Sequence, residues 1–257
     1  MKLLFFGDVV GESGCRFFAE KAPELRRTYS ADVIVVNGEN SANGNGINAQ
    51  SAQMLFSAGA DIITGGNHSF RRKCPELFEN PRILRPANYP EGVPGSGSYL
   101  ADFGAFSLAV VNLMGTVFLD PLDNPFTTAD RLIADLPTKN ILVDFHAEAT
   151  SEKRAIGWYL AGKVSAVIGT HTHVQTADEE ILCGHTGYLT DAGMTGPVNS
   201  VIGVKTELAV RKQKYHIPVQ FTEAEPPCIL CGAYLEIDSK SGKCTKIERI
   251  FLREHTK

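Results

Sequence analysis

At 257 residues the chain is long for one domain, yet within the range of a single layered α/β fold. Its make-up, 43% hydrophobic and 21% charged, is ordinary for a globular protein and excludes a disordered one. A formal charge of −4 and a pI near 6.0 exclude a duplex-DNA binder that relies on a broad basic face. They leave room for a small anion held at a local positive centre.

The apolar start, Met1 to Phe6, is too short for a signal peptide and is broken by Asp8. No run approaches the ~18 apolar residues of a membrane span. Cys15, Cys74, Cys183, Cys228, Cys231 and Cys244 are scattered as free thiols are, so the expectation is a cytoplasmic protein without a membrane partner. Leu3 to Gly7 reads as a buried strand that ends at Asp8. After Gly11-Glu12-Ser13-Gly14, Phe17, Phe18 and Leu25 mark a helix from Cys15 to Tyr29. Val33 to Gly38 is a second strand with Glu39 at its tip. Asn40 to Gly46 is too rich in Gly and Asn to be regular. Asn48 to Ala58 then reads as a helix, and Asp61 to Gly66 as a third strand ending at Asn67-His68. Strand and helix alternating at this spacing imply parallel pairing.

Four prolines between Pro81 and Gly97 make that stretch a loop. Tyr99 to Phe103 and Phe106 to Leu113 form a hairpin pattern. Thr127-Thr128-Ala129-Asp130 is expected to cap a helix reaching about Leu136. A second α/β run follows: Ile141 to Phe145 ending at His146, a helix over Ser151 to Leu160, and Val164 to Thr170 ending at His171 and His173. Gly193 to Asn199 reads as a rim loop, and Ile229 to Ile237 with Lys246 to Leu252 as an antiparallel hairpin. Cys228-Ile229-Leu230-Cys231 has redox spacing but lies in a strand pattern without a helix N-terminus, so it reads as structural. No repeat or linker divides residues 1–257, so the expectation is one domain of class α/β, a layered α/β/β/α sandwich.

Buried strands that end five times in a carboxylate, amide or imidazole are how an open α/β sheet builds one active-site rim. That ligand mix suits a pair of first-row transition metals. Taken singly the residues are ambiguous. Asp8 or Glu39 alone serves turn chemistry equally well, and a lone His146 at a strand end is more often a hydrogen-bonded structural histidine. Taken together, the bland alternative needs five coincidences at equivalent strand ends. His185, His216 and His255 lie off the pattern and receive no role. Phe70 and Arg71-Arg72 could stack on a base or meet a phosphate, but a solvated turn explains them more simply.

The order Gly7-Asp8, Gly38-Glu39-Asn40, Gly66-Asn67-His68, His146 and Gly169-Thr170-His171-Thr172-His173 resembles the calcineurin-like metallophosphoesterases. The wording is closest to their YmdB-like phosphodiesterase branch. It shows in Gly7-Asp8-Val9-Val10-Gly11, Arg85-Pro86-Ala87-Asn88, the segment Asp144 to Lys153, the segment Gly169 to Asp178, and Asp191 to Pro197. Two positions depart from the wider superfamily in the manner of that branch. Val10 stands where a His is usual, and Glu39 where an Asp is usual. Ser69 also replaces the carboxylate that commonly follows the Gly-Asn-His motif.

The resemblance implies a metallophosphoesterase-type sandwich holding two divalent ions, with iron or manganese favoured and zinc compatible. One ion would take Asp8, Glu39, Asn40 and His173, and the other Glu39, Asn67, His146 and His171, with Glu39 shared. A metal-bridging hydroxide would attack the phosphorus, and His68 would be the catalytic proton donor. The implied substrate is a small phosphodiester, either a cyclic nucleotide of the 2′,3′- or 3′,5′-cAMP type or an RNA-derived diester. A homo-oligomer is compatible with the resemblance. The alternatives are a phosphomonoesterase or protein phosphatase on the same scaffold, and a non-catalytic metal-containing regulatory or RNA-binding protein. A metal-free Rossmann-like nucleotide binder ranks last, because Gly-x-Gly-x-x-Gly is absent.

Overall fold

Alternation along the strands decides how the layers stack. The computed structural model describes residues 1–254, and His255 lies outside the described residues. The first half runs β1 (Lys2–Phe6), β2 (Asp8–Val9), α1 (Gly11–Tyr29), β3 (Val33–Asn37), α2 (Ala49–Ser57), β4 (Ile62–Thr64), β5 (Ser98–Asp102), β6 (Ser107–Met114) and α3 (Pro125–Ala134). The second runs β7 (Ile141–His146), α4 (Thr150–Leu160), β8 (Ala166–Thr170), β9 (Glu180–Leu182), β10 (Thr186–Leu189), β11 (Met194–Pro197), α5 (Thr206–Tyr215), β12 (Cys228–Ile237) and β13 (Cys244–Arg253). One sheet has the order β2-β11-β12-β1-β3-β4, with β13 also paired to β12, and the other the order β5-β6-β7-β8-β10-β9.

Successive strand side chains point to opposite faces. Leu3 and Phe5 of β1 therefore pack between the sheets with Val110, Leu142 and Ile168. Leu4 and Phe6 turn outward onto Phe17 and Phe18 of α1 and Leu55 of α2. In the second sheet, Val143 and Phe145 face outward with Ala129 of α3 and Ile156 and Leu160 of α4. Strands buried on both faces read as unbroken apolar runs, and for that reason they were legible. The layers are α/β/β/α, as expected. β1, β3 and β4 are parallel, and so are β6, β7 and β8. Their C-terminal ends meet at one edge of the sandwich, where Asn37 Nδ2 lies 3.1 Å from Asp144 Oδ2 of the opposing sheet.

Local chemistry corrects three sequence expectations. α1 starts at Gly11 rather than Cys15, because the Glu223 carboxylate accepts from Glu12 N and Ser13 N at 3.0 and 2.9 Å and satisfies its first turn. α3 starts at Pro125, with Asn124 as its N-cap accepting from Phe126 N and Thr127 N at 2.9 and 3.3 Å, so Thr127 to Asp130 lies inside the helix. Part of the supposed loop from Gly193 to Asn199 is β11, parallel to β2 and antiparallel to β12. β9, β10 and α5 carry too little periodicity to have been anticipated. Cys228 and Cys231 lie buried in β12 as free thiols, consistent with a structural reading. Among the described residues, no helix is long and apolar enough to cross a membrane.

Candidate metal centre

All the side chains singled out as ligands gather at the common edge of the sheets. His146, the last residue of β7, is fully buried. Its Nε2 lies 2.9 Å from Asn67 Oδ1, 3.2 Å from Glu39 Oε1 and 3.1 Å from His171 Nδ1. On the other side of Glu39, Asn40 Nδ2 lies 3.1 Å from Glu39 Oε1, 3.4 Å from Asp8 Oδ1 and 3.2 Å from His173 Nε2. His173 Nε2 and Asp8 Oδ1 are 3.7 Å apart. Glu39 Oε1 thus borders both groups, while its Oε2 accepts the His68 N–H at 2.8 Å. Gly66 is required here: a Cβ would come within 2.4 Å of Glu39 Oε2 and His146 Nε2.

The outer nitrogens of the three imidazoles say which atoms are free to bind. His173 Nδ1 faces the Ile202 carbonyl at 2.9 Å, which can only accept. His171 Nε2 faces Glu148 Oε2 at 3.1 Å. His146 Nδ1 faces Thr170 Oγ1 at 3.0 Å, and that hydroxyl donates to Asp144 Oδ1 at 2.6 Å. With each N–H spent outward, each inner nitrogen is left with a lone pair: His146 Nε2 toward Asn67 Oδ1 and Glu39 Oε1, His171 Nδ1 toward His146 Nε2, and His173 Nε2 toward the Asn40 amide. Around His146 Nε2 these acceptors converge without a proton between them, which calls for a cation. Glu39, His146 and His171 alone bring their ligand atoms within 4.8 Å of one another. The donor set fits divalent transition-metal ions.

Burial supports that fit. It pushes His146 and His171 down to about 4, keeping both rings neutral at neutral pH, and it lowers His68 as well. It also raises Asp8, against the pull of His173, so an ionised Asp8 gains from a nearby cation. Beneath the rings, burial pushes Asp144 up to about 7, opposed by hydrogen bonds from Thr170, Thr64 and Asn37 that favour the carboxylate.

The backbone is bent at two of the candidate ligands: His171 and His173 have φ of 103° and 65°, in the region that disfavours side chains. Thr172 N between them donates to Asp191 Oδ2 at 3.1 Å, and Lys153 Nζ lies 2.5 Å from the same oxygen and 2.7 Å from Thr170 O. His68 is turned by Asn40, whose Oδ1 lies 2.8 Å from its Nδ1, with Glu39 Oε1 further off at 3.5 Å. Ser69 instead folds its own loop, bonding to Gly66 N and O at 2.9 and 2.8 Å. Phe70 packs in a local cluster, tilted against Phe78 and edge-on to Tyr89, and Arg72 donates to the Ala42 carbonyl at 2.6 Å. His185 and His216 sit near β10 and at the end of α5, away from the centre.

Sequence reasoning missed Thr170, Asp144, Glu148, Asp191 and Lys153 as supports. A signal was present for Asp144: residues i and i+2 of a strand share a face, so an Asp two before His146 belongs to the same side of β7.

A family described as "YmdB-like protein" matches residues 4–250. A Bacillus subtilis (strain 168) protein named 2′,3′-cyclic-nucleotide 2′-phosphodiesterase is 46% identical over 260 residues, covering 99% of this chain and 98% of its own. The crystal structure of a hypothetical protein from Thermus thermophilus superposes with a TM-score of 0.95 at 39% identity, covering 99% of this chain and 100% of the other. The Haemophilus influenzae NAD nucleotidase matches with a TM-score of 0.57, covering 98% of this chain and 56% of its own; at 11% identity it shows the fold alone.

Proposed function

The chain belongs to the YmdB-like family, and from that premise we propose that it is a metal-dependent phosphodiesterase whose substrates are small phosphodiesters, cyclic nucleotides foremost and RNA-derived diesters as the wider class. The observation that carries the reading is the set of inward lone pairs on His146, His171 and His173 beside Glu39 and Asn67. Asp8, Glu39, Asn40 and His173 would hold one divalent ion, and Glu39, Asn67, His146 and His171 a second, with iron, manganese and zinc all suited to these donors. When bound, such ions supply positive charge to phosphoryl oxygens and acidify water near neutral pH.

The chain's own residues supply the rest. Ligand duty requires Asn40 to turn its amide, so that Oδ1 rather than Nδ2 faces Glu39 and Asp8. The same turn presents Nδ2 to His68 Nδ1, now 2.8 Å from the amide oxygen. His68 then accepts at Nδ1 and keeps its proton on Nε2, the nitrogen left for a leaving oxygen. Arg72 and Lys153 are committed to Ala42 O and Asp191, which leaves the centre short of the extra cations a phosphomonoester dianion favours. Arg71, exposed one turn on from His68, is the cation available to a diester phosphate.

The test combines elemental analysis with hydrolysis of a bis-aryl phosphodiester, 2′,3′-cyclic AMP and an aryl phosphomonoester. Two ions per chain, as in two-metal hydrolases, with chelator-sensitive diesterase activity is the expected result. Absence of bound metal after reconstitution with Mn²⁺ would overturn the reading, and faster monoester hydrolysis would move it to a phosphatase.

A further inference from the structure

His146 differs from the other two imidazoles in what takes its outer proton. Beside His173 and His171 stand a carbonyl and a carboxylate, which only accept. Beside His146 Nδ1 stands the Thr170 hydroxyl, which could either accept or donate. Its direction is therefore set one atom further out. Thr170 Oγ1 lies 2.6 Å from Asp144 Oδ1, and Asp144 Oδ2 already takes the Thr64 hydroxyl and, at 3.1 Å, the Asn37 amide. With the Thr64 hydroxyl and the Asn37 amide both donating to Oδ2, the carboxylate leaves Oδ1 as the acceptor beside Thr170, so Thr170 gives its one proton there and accepts from His146. The group is sealed from water, because Asn37, Asp144, His146 and Thr170 are all 0% exposed. A buried imidazole has no solvent to restore a lost partner.

We infer that Asp144 and Thr170 are positioning residues that hold the His146 proton on Nδ1 and so keep Nε2 free to bind metal. Asp144 does this from between the two sheets, since Asn37 and Thr64 end strands of one sheet, and Asp144 and Thr170 belong to the other. The inference rests on the metal-centre reading above. It goes beyond that reading in naming what decides the state of one ligand.

Thr170→Val keeps the shape and removes the hydroxyl, leaving Nδ1–H without a partner. Asp144→Asn keeps the shape and can present an amide N–H to Thr170, which would then donate to Nδ1 and drive the proton to Nε2. Thr170→Ser retains the hydroxyl. In chelator competition with Mn²⁺, the first two variants should bind one of the two equivalents about 10–100-fold more weakly, the usual cost of losing a ligand's outer partner. Thr170→Ser should rescue binding. Melting of the metal-free proteins, followed in parallel, separates this from a loss of fold, which would lower both equivalents together and would not follow the hydroxyl. Independently, ¹⁵N-histidine spectra of the metal-free wild type should show His146 protonated on Nδ1. Wild-type Mn²⁺ affinity in Thr170→Val, or an Nε2-protonated His146 in the wild type, would overturn the inference. A wild type that shows the Nδ1–H tautomer but binds no Mn²⁺ would sink the metal reading and leave the relay standing.

Discussion

His68 and Glu39 touch through a backbone bond, yet their losses should differ. His68 directs its ring at Asn40, with Nδ1 3.5 Å from Glu39 Oε1, and gives its backbone N–H to Glu39 Oε2 at 2.8 Å. His68→Ala should therefore retain its metal ions while turnover falls at least ~10²-fold, as for loss of a proton donor. Unchanged turnover would remove His68 from the mechanism. Glu39 Oε1 borders both ligand groups, so Glu39→Ala should lose both ions. Elemental analysis that still found two would refute a shared ligand. These residues were legible because a polar group at the tip of an apolar strand has few structural reasons to be there. Their supports were not. Glu148 is half-exposed and looks like any surface carboxylate, and the tie between Thr170 and Asp144 spans two strands.

At the level of elements, periodicity revealed strands and helices with two buried faces or one broad apolar face, and failed where an end is set by a distant partner. The first turn of α1 is capped by Glu223, 211 residues away from Glu12, and no local pattern announces it. The cap of α3 is local, and Asn124→Ala should cost about 1 kcal/mol in urea unfolding while leaving diester hydrolysis intact. A cost near zero would mean that Pro125 alone sets the start. The cysteines make a second test. Burial pushes the thiols of Cys15, Cys228 and Cys231 up to about 12 and that of Cys244 to about 11. They stay protonated, and hence poor nucleophiles, at pH 8. Maleimide should label exposed Cys183 quickly in the native protein, and these four only on unfolding. Raising the pH from 8 to 9 should not speed the four, because their titration lies higher still. Fast native labelling of Cys228 or Cys231 would contradict a purely structural role for that pair.

Across the whole molecule, the proposed ligands come from both sheets. Asp8, Glu39, Asn40 and Asn67 follow or end strands of the sheet built on β1, whereas His146, His171 and His173 belong to the sheet built on β7. An ion bound among them joins the two halves of the sandwich at their open edge, and it is lost when they part. Metal binding is then linked to global unfolding as well as to chemistry. A ligand at 100 times its Kd that binds only the folded state adds about 2.7 kcal/mol per site. For a chain of this length each kcal/mol shifts Tm by roughly 2–4 °C, so saturating one site with Mn²⁺ should raise Tm by about 5–10 °C. The rise should grow with the logarithm of free Mn²⁺ and reverse with chelator. Glu39→Ala should lack it, since neither group of ligands is complete without that carboxylate. His68→Ala should keep it in full, because on the proposed assignment that variant removes a proton donor and no ligand. A Tm indifferent to Mn²⁺ in the wild type would mean that the sheets hold the edge closed without an ion, and that the convergent lone pairs serve something other than a metal. A rise of equal size in Glu39→Ala would place the stabilising site elsewhere on the molecule.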